Sequence, residues 1–221
     1  IILDCIKTFN FHLMFTTLLN FCSNDLSAFY FDIRKDVIYC DNKNSKIRKS
    51  ARTLLDIIYN YLVRWLAPSL SFTTEEAWKA RGNKNSIHLE DFAITPQSYK
   101  NININETWII IKKIRKVVTG ALERKRAEKI IGSSLEAHVD IYLEKEILEK
   151  VKSYQMDEIS ITSSFMFHRI SSMIDGFSIE DEPNIKVIVS KTNGKKCQRC
   201  WVYKDKLIRE ELCSRCEDAI S

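Results

Sequence analysis

Apolar residues recur at helical spacing through most of the first eighty positions of the chain. The pattern predicts helices over residues 1 to about 22 and 47 to 81. The strongest stripe is formed by Leu54, Ile58, Leu62, Trp65 and Leu66, and it is widened by Leu55, Tyr59, Tyr61 and Val63. Because a helix that is apolar on nearly every side must be covered, we expect it to be central to a bundle, with Trp65 and Trp78 in the core and without a functional role.

Two breaks divide this first region. Pro68 ends the stripe, and the Thr-Thr-Glu-Glu run at 73–76 predicts the cap and first turn of another helix. Residues 81–105 contain one glycine, one proline and several asparagines with little periodicity, which is typical of a connection. The sequence therefore predicts a helical bundle over residues 1–105.

The pattern changes in the second half of the chain. A long helix is predicted to begin at Glu106 or Thr107 and to stop near Gly132. Its core stripe comprises Ile111, Ile114, Val118, Ala121 and Leu122. Strict alternation over 135–143 and a β-branched run at 185–189 then predict two strands, with a short charged helix over 144–154.

These elements predict a mainly α fold in three parts. The helical bundle (1–105) is followed by a small α+β junction (106–190) and by a cysteine-bearing tail (191–221). An apolar content of 45% with 29% charged residues is that of a folded protein, whereas five glycines and three prolines are too few for collagen, a Pro-rich linker or a turn-dense sandwich.

The chain offers no candidate membrane span or leader. Its most hydrophobic stretch, residues 9–21, is interrupted by polar side chains, and no apolar run reaches eighteen residues. The first residue is Ile1, and no basic segment or small-residue cleavage site follows it. We therefore expect a fragment of a longer cytoplasmic protein that does not associate with membranes.

The strongest local motif is Cys197-x2-Cys200-x12-Cys213-x2-Cys216. Two Cys-x2-Cys knuckles can direct four thiolates at one tetrahedral zinc ion, and a tail of this size has little core of its own to order it. Four protein ligands leave no position for a catalytic water, so the predicted zinc is structural. Two alternatives are a pair of redox dithiols and a set of unrelated thiols.

Basic and aromatic residues surround this motif. Arg199 and Arg215 lie beside the cysteines, and part of their charge would offset the formal charge of −2 on zinc with four thiolates. The remaining basic charge and Trp201 could contact phosphates and a stacked base of a nucleic acid. Alternatively, Trp201 covers the metal as a miniature core.

A second concentration of charge lies on the helix predicted for residues 106–131. Its eight basic and three acidic residues give an excess of five, equal to the excess of the whole chain. Lys112, Lys116 and Lys129, together with Arg115, can project away from the apolar stripe and form a phosphate-facing surface. The alternative is a solvated face with internal pairs such as Glu128 with Arg124.

We find no catalytic constellation in the sequence. The four histidines show no helical spacing to carboxylates that suggests a metal triad, and five scattered glycines form no phosphate loop. Cys5, Cys22 and Cys40 lie among apolar or aromatic neighbours, which favours buried thiols over nucleophiles. We therefore expect this chain to have no chemistry of its own.

Four stretches together resemble the bacterial-type isoleucyl-tRNA synthetases in the part that follows their catalytic domain. Two of them are similar to signatures also found in valyl, leucyl and methionyl relatives, namely 25–39 (DLSAFYFDIRKDVIY) and 52–78 with LVRWLAP and SFTTEEAW. The other two resemble the isoleucyl branch specifically, namely 121–137 (ALERKRAEKIIGSSLEA) and the tail with CQRCW and LCSRC. The spacer between the knuckles departs from the family in being short and lacking a glycine turn.

The resemblance implies the anticodon-binding C-terminal portion of the ATP-dependent ligase that charges tRNA(Ile) with isoleucine. It implies that the bundle and the zinc tail grip the anticodon stem and loop, and that ATP and magnesium act only in the catalytic domain of the parent synthetase. We expect a monomer. Candidate RNA contacts are Lys112, Lys116, Lys129, Arg199, Trp201 and Arg215. The alternative function is a zinc-ribbon adaptor for a protein partner, whose binding would depend less on salt.

Overall fold

The computed structural model describes residues 1–171, 174–209 and 211–221. These residues divide into two compact units, Ile1–Tyr99 and Lys100–Ser221. The predicted fold class is confirmed: helices dominate, a small sheet lies in the second unit, and the four tail cysteines come together near the C-terminus. No helix in the described ranges is long and apolar enough to cross a membrane.

The first unit is helical throughout its regular elements. Its bounds are α1 (Ile2–Lys7), α2 (Phe11–Asn20), a π-helix (Phe21–Phe31), α3 (Asp32–Cys40), α4 (Lys46–Leu66) and α5 (Ser71–Ala80), followed by the 3-10 turns Ile87–Leu89 and Gln97–Tyr99. The helical segment predicted for residues 1 to about 22 is interrupted between α1 and α2. Phe9 has a φ of 56°, and the Asn10 side chain caps α2 by accepting a hydrogen bond from the Leu13 N–H at 3.3 Å.

Helix α4 packs against two sets of neighbours near its C-terminal end. One apolar cluster contains Val63 of α4, Ala67 directly after the helix, Trp78 and Ile87. The other cluster, Cys5, Met14 and Leu18, is covered by Leu62, Trp65 and Leu66. The prediction that α4 is covered on nearly every side is wrong, because Leu54 is 40% exposed and the rest of the stripe is only half-buried.

The two tryptophans of this unit differ in burial. Trp78 is 5% exposed, and its Nε1 donates to the Asn85 carbonyl at 3.2 Å. Trp65 is only half-buried, so the prediction that it belongs to the core is wrong in degree, and its Nε1 donates to the Ala93 carbonyl at 3.0 Å. A partly buried indole that reaches a backbone acceptor satisfies its polar group while one edge stays in water.

The cap predicted from the threonines at 73 and 74 is also wrong. Helix α5 begins at Ser71, and the Thr74 hydroxyl donates back to the Leu70 carbonyl at 2.9 Å. Glu75 instead accepts hydrogen bonds from the Ile87 N–H at 2.8 Å and from the Ser86 hydroxyl at 2.9 Å. The carboxylate therefore holds the chain that follows α5 rather than the start of the helix.

The second unit packs one long helix on a sheet. Its helices are α6 (Ile102–Ala127), α7 (Lys145–Val151), α8 (Met156–Ser160) and α9 (Ser214–Ile220), with a 3-10 turn at Ser134–Glu136. Its strands are β1 (Ala137–Leu143), β2 (Ser164–Arg169), β3 (Phe177–Ile179), β4 (Glu182–Lys191), β5 (Lys195–Lys196) and β6 (Tyr203–Lys204). Among the described residues the larger sheet has the order β2-β1-β4-β3.

Strand β1 is central to that sheet. It pairs in parallel with β2 and antiparallel with β4, and the β1–β2 crossover passes through α7 and α8. Alternate side chains of β1 and β4 face the buried stripe of α6 and form with it an extended apolar cluster. Gly120 on α6 permits close approach, because a Cβ there would lie 2.9 Å from the Phe177 ring. The two predicted strands are present, whereas β2 and β3 were not predicted.

The long helix differs from its prediction at both ends. It begins at Ile102, where the Asn101 side chain accepts from the Ile104 N–H at 3.1 Å, rather than at Glu106 or Thr107. It ends at Ala127 rather than near Gly132. Lys129 takes a φ of 57°. The Lys129 N–H donates to the Arg126 carbonyl and the Ile130 N–H to the Lys125 carbonyl, which closes the end of the helix.

Candidate metal centre and nucleic-acid interface

The first cysteine knuckle lies between two short paired strands. Residues 195 and 196 of β5 pair antiparallel with 204 and 203 of β6. The Cys197 N–H donates to the Val202 carbonyl at 3.0 Å, and the Trp201 N–H donates to the Cys197 carbonyl at 2.9 Å. Trp201 closes this tight turn in the left-handed conformation, with a φ of 64°. The turn points the thiols of Cys197 and Cys200 inward.

The second cysteine knuckle is formed by an isolated β-bridge and by the start of helix α9. Ile208 pairs with Leu212, and Cys213 is the N-cap residue of α9, which places Cys216 in the first turn of that helix. The backbone also joins the two knuckles, since the Gln198 N–H donates to the Glu211 carbonyl at 3.0 Å. The Cys213 N–H donates to Cys197 Sγ at 3.3 Å.

The four sulfur atoms form one cluster. All four cysteines are between 0% and 7% exposed, and their Sγ atoms lie within 4.8 Å of one another. Cys200 Sγ and Cys213 Sγ are 3.7 Å apart. A tetrahedral ion with metal–sulfur bonds of about 2.3 Å would separate its ligands by about 3.8 Å. The thiols could therefore hold a metal ion with little rearrangement.

The surroundings of the thiols favour ionisation of Cys197 and oppose ionisation of Cys200 and Cys216. Burial opposes ionisation of Cys197, but donation from the backbone N–H groups of Cys200, Cys213 and Arg199 outweighs it and lowers the pKa of Cys197 to about 6. Burial raises the pKa of Cys200 and of Cys216. A bound cation would replace the protons on these thiols.

Two of the predicted RNA contacts lie against the sulfur cluster. Arg199 Nη1 is 3.6 Å from Cys216 Sγ, and the Arg215 side chain hydrogen-bonds the Cys200 thiol. Both arginines are half-buried. Their charge is therefore directed at least in part at the sulfurs, as expected of groups that offset four thiolates.

Trp201 is 58% exposed, and the Lys196 ammonium lies 5.4 Å from the centroid of its ring. A side chain with this exposure is not the core of the cysteine module, so the alternative in which Trp201 covers the metal is not supported by its burial. The indole instead projects from the knuckle with a cation beside one face.

Most basic residues of α6 already face an acidic partner. Lys116 Nζ lies 2.8 Å from Asp181, whose hydrogen bond and charge raise the pKa of that lysine, and Lys113 Nζ lies 2.7 Å from Glu182. Glu128 pairs with both Arg124 and Lys125. Lys112 is exposed, and Lys129 is exposed beyond the end of the helix rather than on it. The paired-face alternative therefore describes much of α6.

Two groups were not predicted from the sequence. On the outer face of the sheet, Asp140 lies 2.6 Å from Nε2 of His168 on the neighbouring strand β2 and 3.2 Å from Nε2 of His138, two residues earlier on its own strand, so one carboxylate contacts both histidines. Helical spacing does not reveal these contacts, because one joins neighbouring strands and the other follows the two-residue repeat of a single strand. The second group is the basic start of α4, where residues 46–52 read KIRKSAR.

The fold and the cysteine cluster together define a class: a helical unit followed by an α/β unit that carries a four-thiol metal-binding module. The model of the anticodon-binding domain of tRNA ligases matches residues 2–141 of this chain. The chain belongs to that family.

Its relatives include isoleucine–tRNA ligases from three bacteria. The chain is 47% identical to that of Pelagibacter ubique over 196 residues, 43% to that of Bartonella henselae over 197 and 38% to that of Ruegeria pomeroyi over 218. These matches cover 88%, 88% and 96% of the chain but 21%, 20% and 22% of the relatives. The chain thus spans about a fifth of the length of the relatives that it matches.

Proposed function

We propose that this chain is the anticodon-recognition part of an isoleucine–tRNA ligase and that it binds tRNA(Ile) chiefly at the anticodon stem and loop. The observation that carries the proposal is the joint match to the anticodon-binding family and to isoleucine–tRNA ligases. The Ruegeria match covers 96% of the chain, so it must include most of the cysteine-bearing tail as well. That breadth supports the isoleucyl branch rather than the family in general.

The metal in this proposal is one structural zinc ion held by Cys197, Cys200, Cys213 and Cys216. The closeness and burial of the four thiols support it, and zinc is the common ion for four thiolates in a tetrahedral arrangement. Four protein ligands fill the coordination sphere, so the ion orders the tail rather than activating water. Arg199 and Arg215 offset the excess negative charge of the thiolates.

The ligase chemistry belongs to the rest of the parent synthetase, where ATP and magnesium act. This chain supplies recognition of the RNA as part of a cytoplasmic monomer. Exposed Trp201 is suited to stacking on a base, and exposed lysines are suited to phosphates. The proposed RNA contacts are Lys112, Lys116, Lys129, Arg199, Trp201 and Arg215. The comparisons do not favour the alternative, an adaptor for a protein partner.

The test is binding of this chain, loaded with zinc, to a tRNA(Ile) transcript across a salt series. A transcript that differs only in its anticodon is the matched control. We expect tighter binding to the isoleucine anticodon and a steep loss of affinity with salt through counterion release. Equal affinity for both transcripts would refute anticodon recognition, and binding that does not change with salt would refute a phosphate interface.

A further inference from the structure

The basic N-terminal half of α4 borders a concave surface in the first unit. Lys49, Arg52, Asp56 and Tyr59 are three or four residues apart and therefore share one face of the helix. Arg81, directly after α5, faces them and completes a groove of about 780 Å³. These five residues define the α4 groove.

One wall of the α4 groove is held in place by contacts of its own. The Tyr59 hydroxyl donates to the Ala77 carbonyl at 2.6 Å, which fixes the ring against α5. The Arg81 guanidinium lies 5.2 Å from the centroid of that ring and pairs with the Asp56 carboxylate. Arg81 and Asp56 thus neutralise each other, and the wall they form with Tyr59 is preorganised.

The other two cations of the groove lack such compensation. Lys49 and Arg52 are exposed, and within the described residues neither side chain has a hydrogen bond or an ion pair. With Asp56 already engaged by Arg81, the groove keeps two net positive charges. Helix α6 differs, because Lys113, Lys116 and the pair at 124 and 125 each face a carboxylate.

We infer that the α4 groove binds the sugar–phosphate backbone of the tRNA, with Lys49 and Arg52 as its phosphate contacts. This inference rests on the proposed function and adds to it a surface in the helical unit, separate from α6 and the cysteine module. The two side chains are three residues, or about 4.5 Å of helix axis, apart, so they present paired charges to one stretch of strand. Backbone phosphates carry no sequence information, so the groove adds affinity and register without reading the anticodon.

The test is the double variant Lys49→Gln and Arg52→Gln in the whole chain with zinc bound. Lys35→Gln is the matched control, since Lys35 in the same unit already lies 2.7 Å from Asp32. The double variant should lower the slope of log K against log salt by about 1.4 to 1.8, from about 0.7 to 0.9 per charge, while the control leaves it nearly unchanged. Affinity at low salt should fall on the order of tenfold per charge, and equally for matched and altered anticodons.

The outcomes separate this inference from the proposed function. If the unmodified chain prefers the isoleucine anticodon but the double variant keeps its slope and affinity, the groove is not an RNA contact and the proposed function stands. If the slope falls but no anticodon preference exists, the groove contacts RNA and the proposed function fails. Loss of binding to polyglutamate without any loss toward tRNA would assign the groove to an acidic protein and overturn the inference. Unchanged circular dichroism checks the fold, as both side chains are exposed.

Discussion

Replacing Trp78 with alanine should destabilise the helical unit far more than the same change at Trp65. The Trp78 indole is 5% exposed and packs with Val63, Ala67 and Ile87, so its removal leaves a cavity that costs about 3 to 5 kcal/mol. The variant also loses the Arg64 guanidinium 5.5 Å above the ring, a contact of about 0.5 to 1 kcal/mol. Since a domain is stable by only about 5 to 15 kcal/mol, the loss is a large fraction of the total.

Trp65 is half-buried, so Trp65→Ala should cost roughly half as much, about 2 kcal/mol. Urea unfolding followed by far-UV circular dichroism measures both, with separate transitions fitted for the two units. Trp78→Phe is the control: it keeps most of the ring but loses the hydrogen bond to Asn85, at a cost of about 1 kcal/mol beyond its smaller volume. A Trp65→Ala loss equal to or larger than that of Trp78→Ala would refute the assignment of the two rings to core and edge.

Three further predictions concern the metal, the exposed indole and an acidic residue. Cys213→Ser should release the metal and disorder residues 195–221 while the helical unit keeps its unfolding transition, as measured by zinc analysis and hydrogen exchange. Trp201→Ala with zinc retained should weaken tRNA binding by about 1 to 3 kcal/mol without changing the salt slope, and unchanged affinity would remove it from the interface. The hydrogen bond from the Ile87 N–H lowers the pKa of Glu75 from its ordinary value of 4.5, so Glu75→Gln should lower the melting temperature at neutral pH. The difference should shrink below pH 4.5 and vanish once the pH is below the lowered pKa.

The parts of the fold that were predicted from sequence are those set by local pattern. The α6 stripe and the alternation in β1 each reflect one amphipathic element on one core, and both were found. Strand β2 was not predicted for two reasons. Two helices separate it from its partner β1 along the chain, and its sequence, SFMFHR, has no β-branched residue. The burial of α4 was overestimated because periodicity reveals an apolar face but not how much of that face the neighbouring helices cover.

In the candidate site, too, local features were predicted from the sequence and long-range contacts were not. The spacing of the four cysteines predicted their convergence, since each knuckle is a short local turn. The ion pairs on the α6 surface could not be predicted from spacing, because the partners lie more than sixty residues along the chain. Asp181 reaches Lys116 from just before β4, and Glu182, the first residue of β4, reaches Lys113. The contact of Asp140 with His168 on the neighbouring strand is another long-range pairing that spacing along the chain does not show.

The hydroxyl of Ser163 connects the cysteine module to the larger sheet. Its oxygen accepts from the Tyr203 N–H at 2.7 Å, and its proton goes to the Leu135 carbonyl just before β1. A ligand that binds only the folded cysteine module stabilises that module by mass action. The two hydrogen bonds of Ser163 couple this stabilisation to the edge of the sheet where β1 and β2 begin. The protection of the Tyr203 amide from solvent exchange should therefore increase when the cysteine module binds a metal ion.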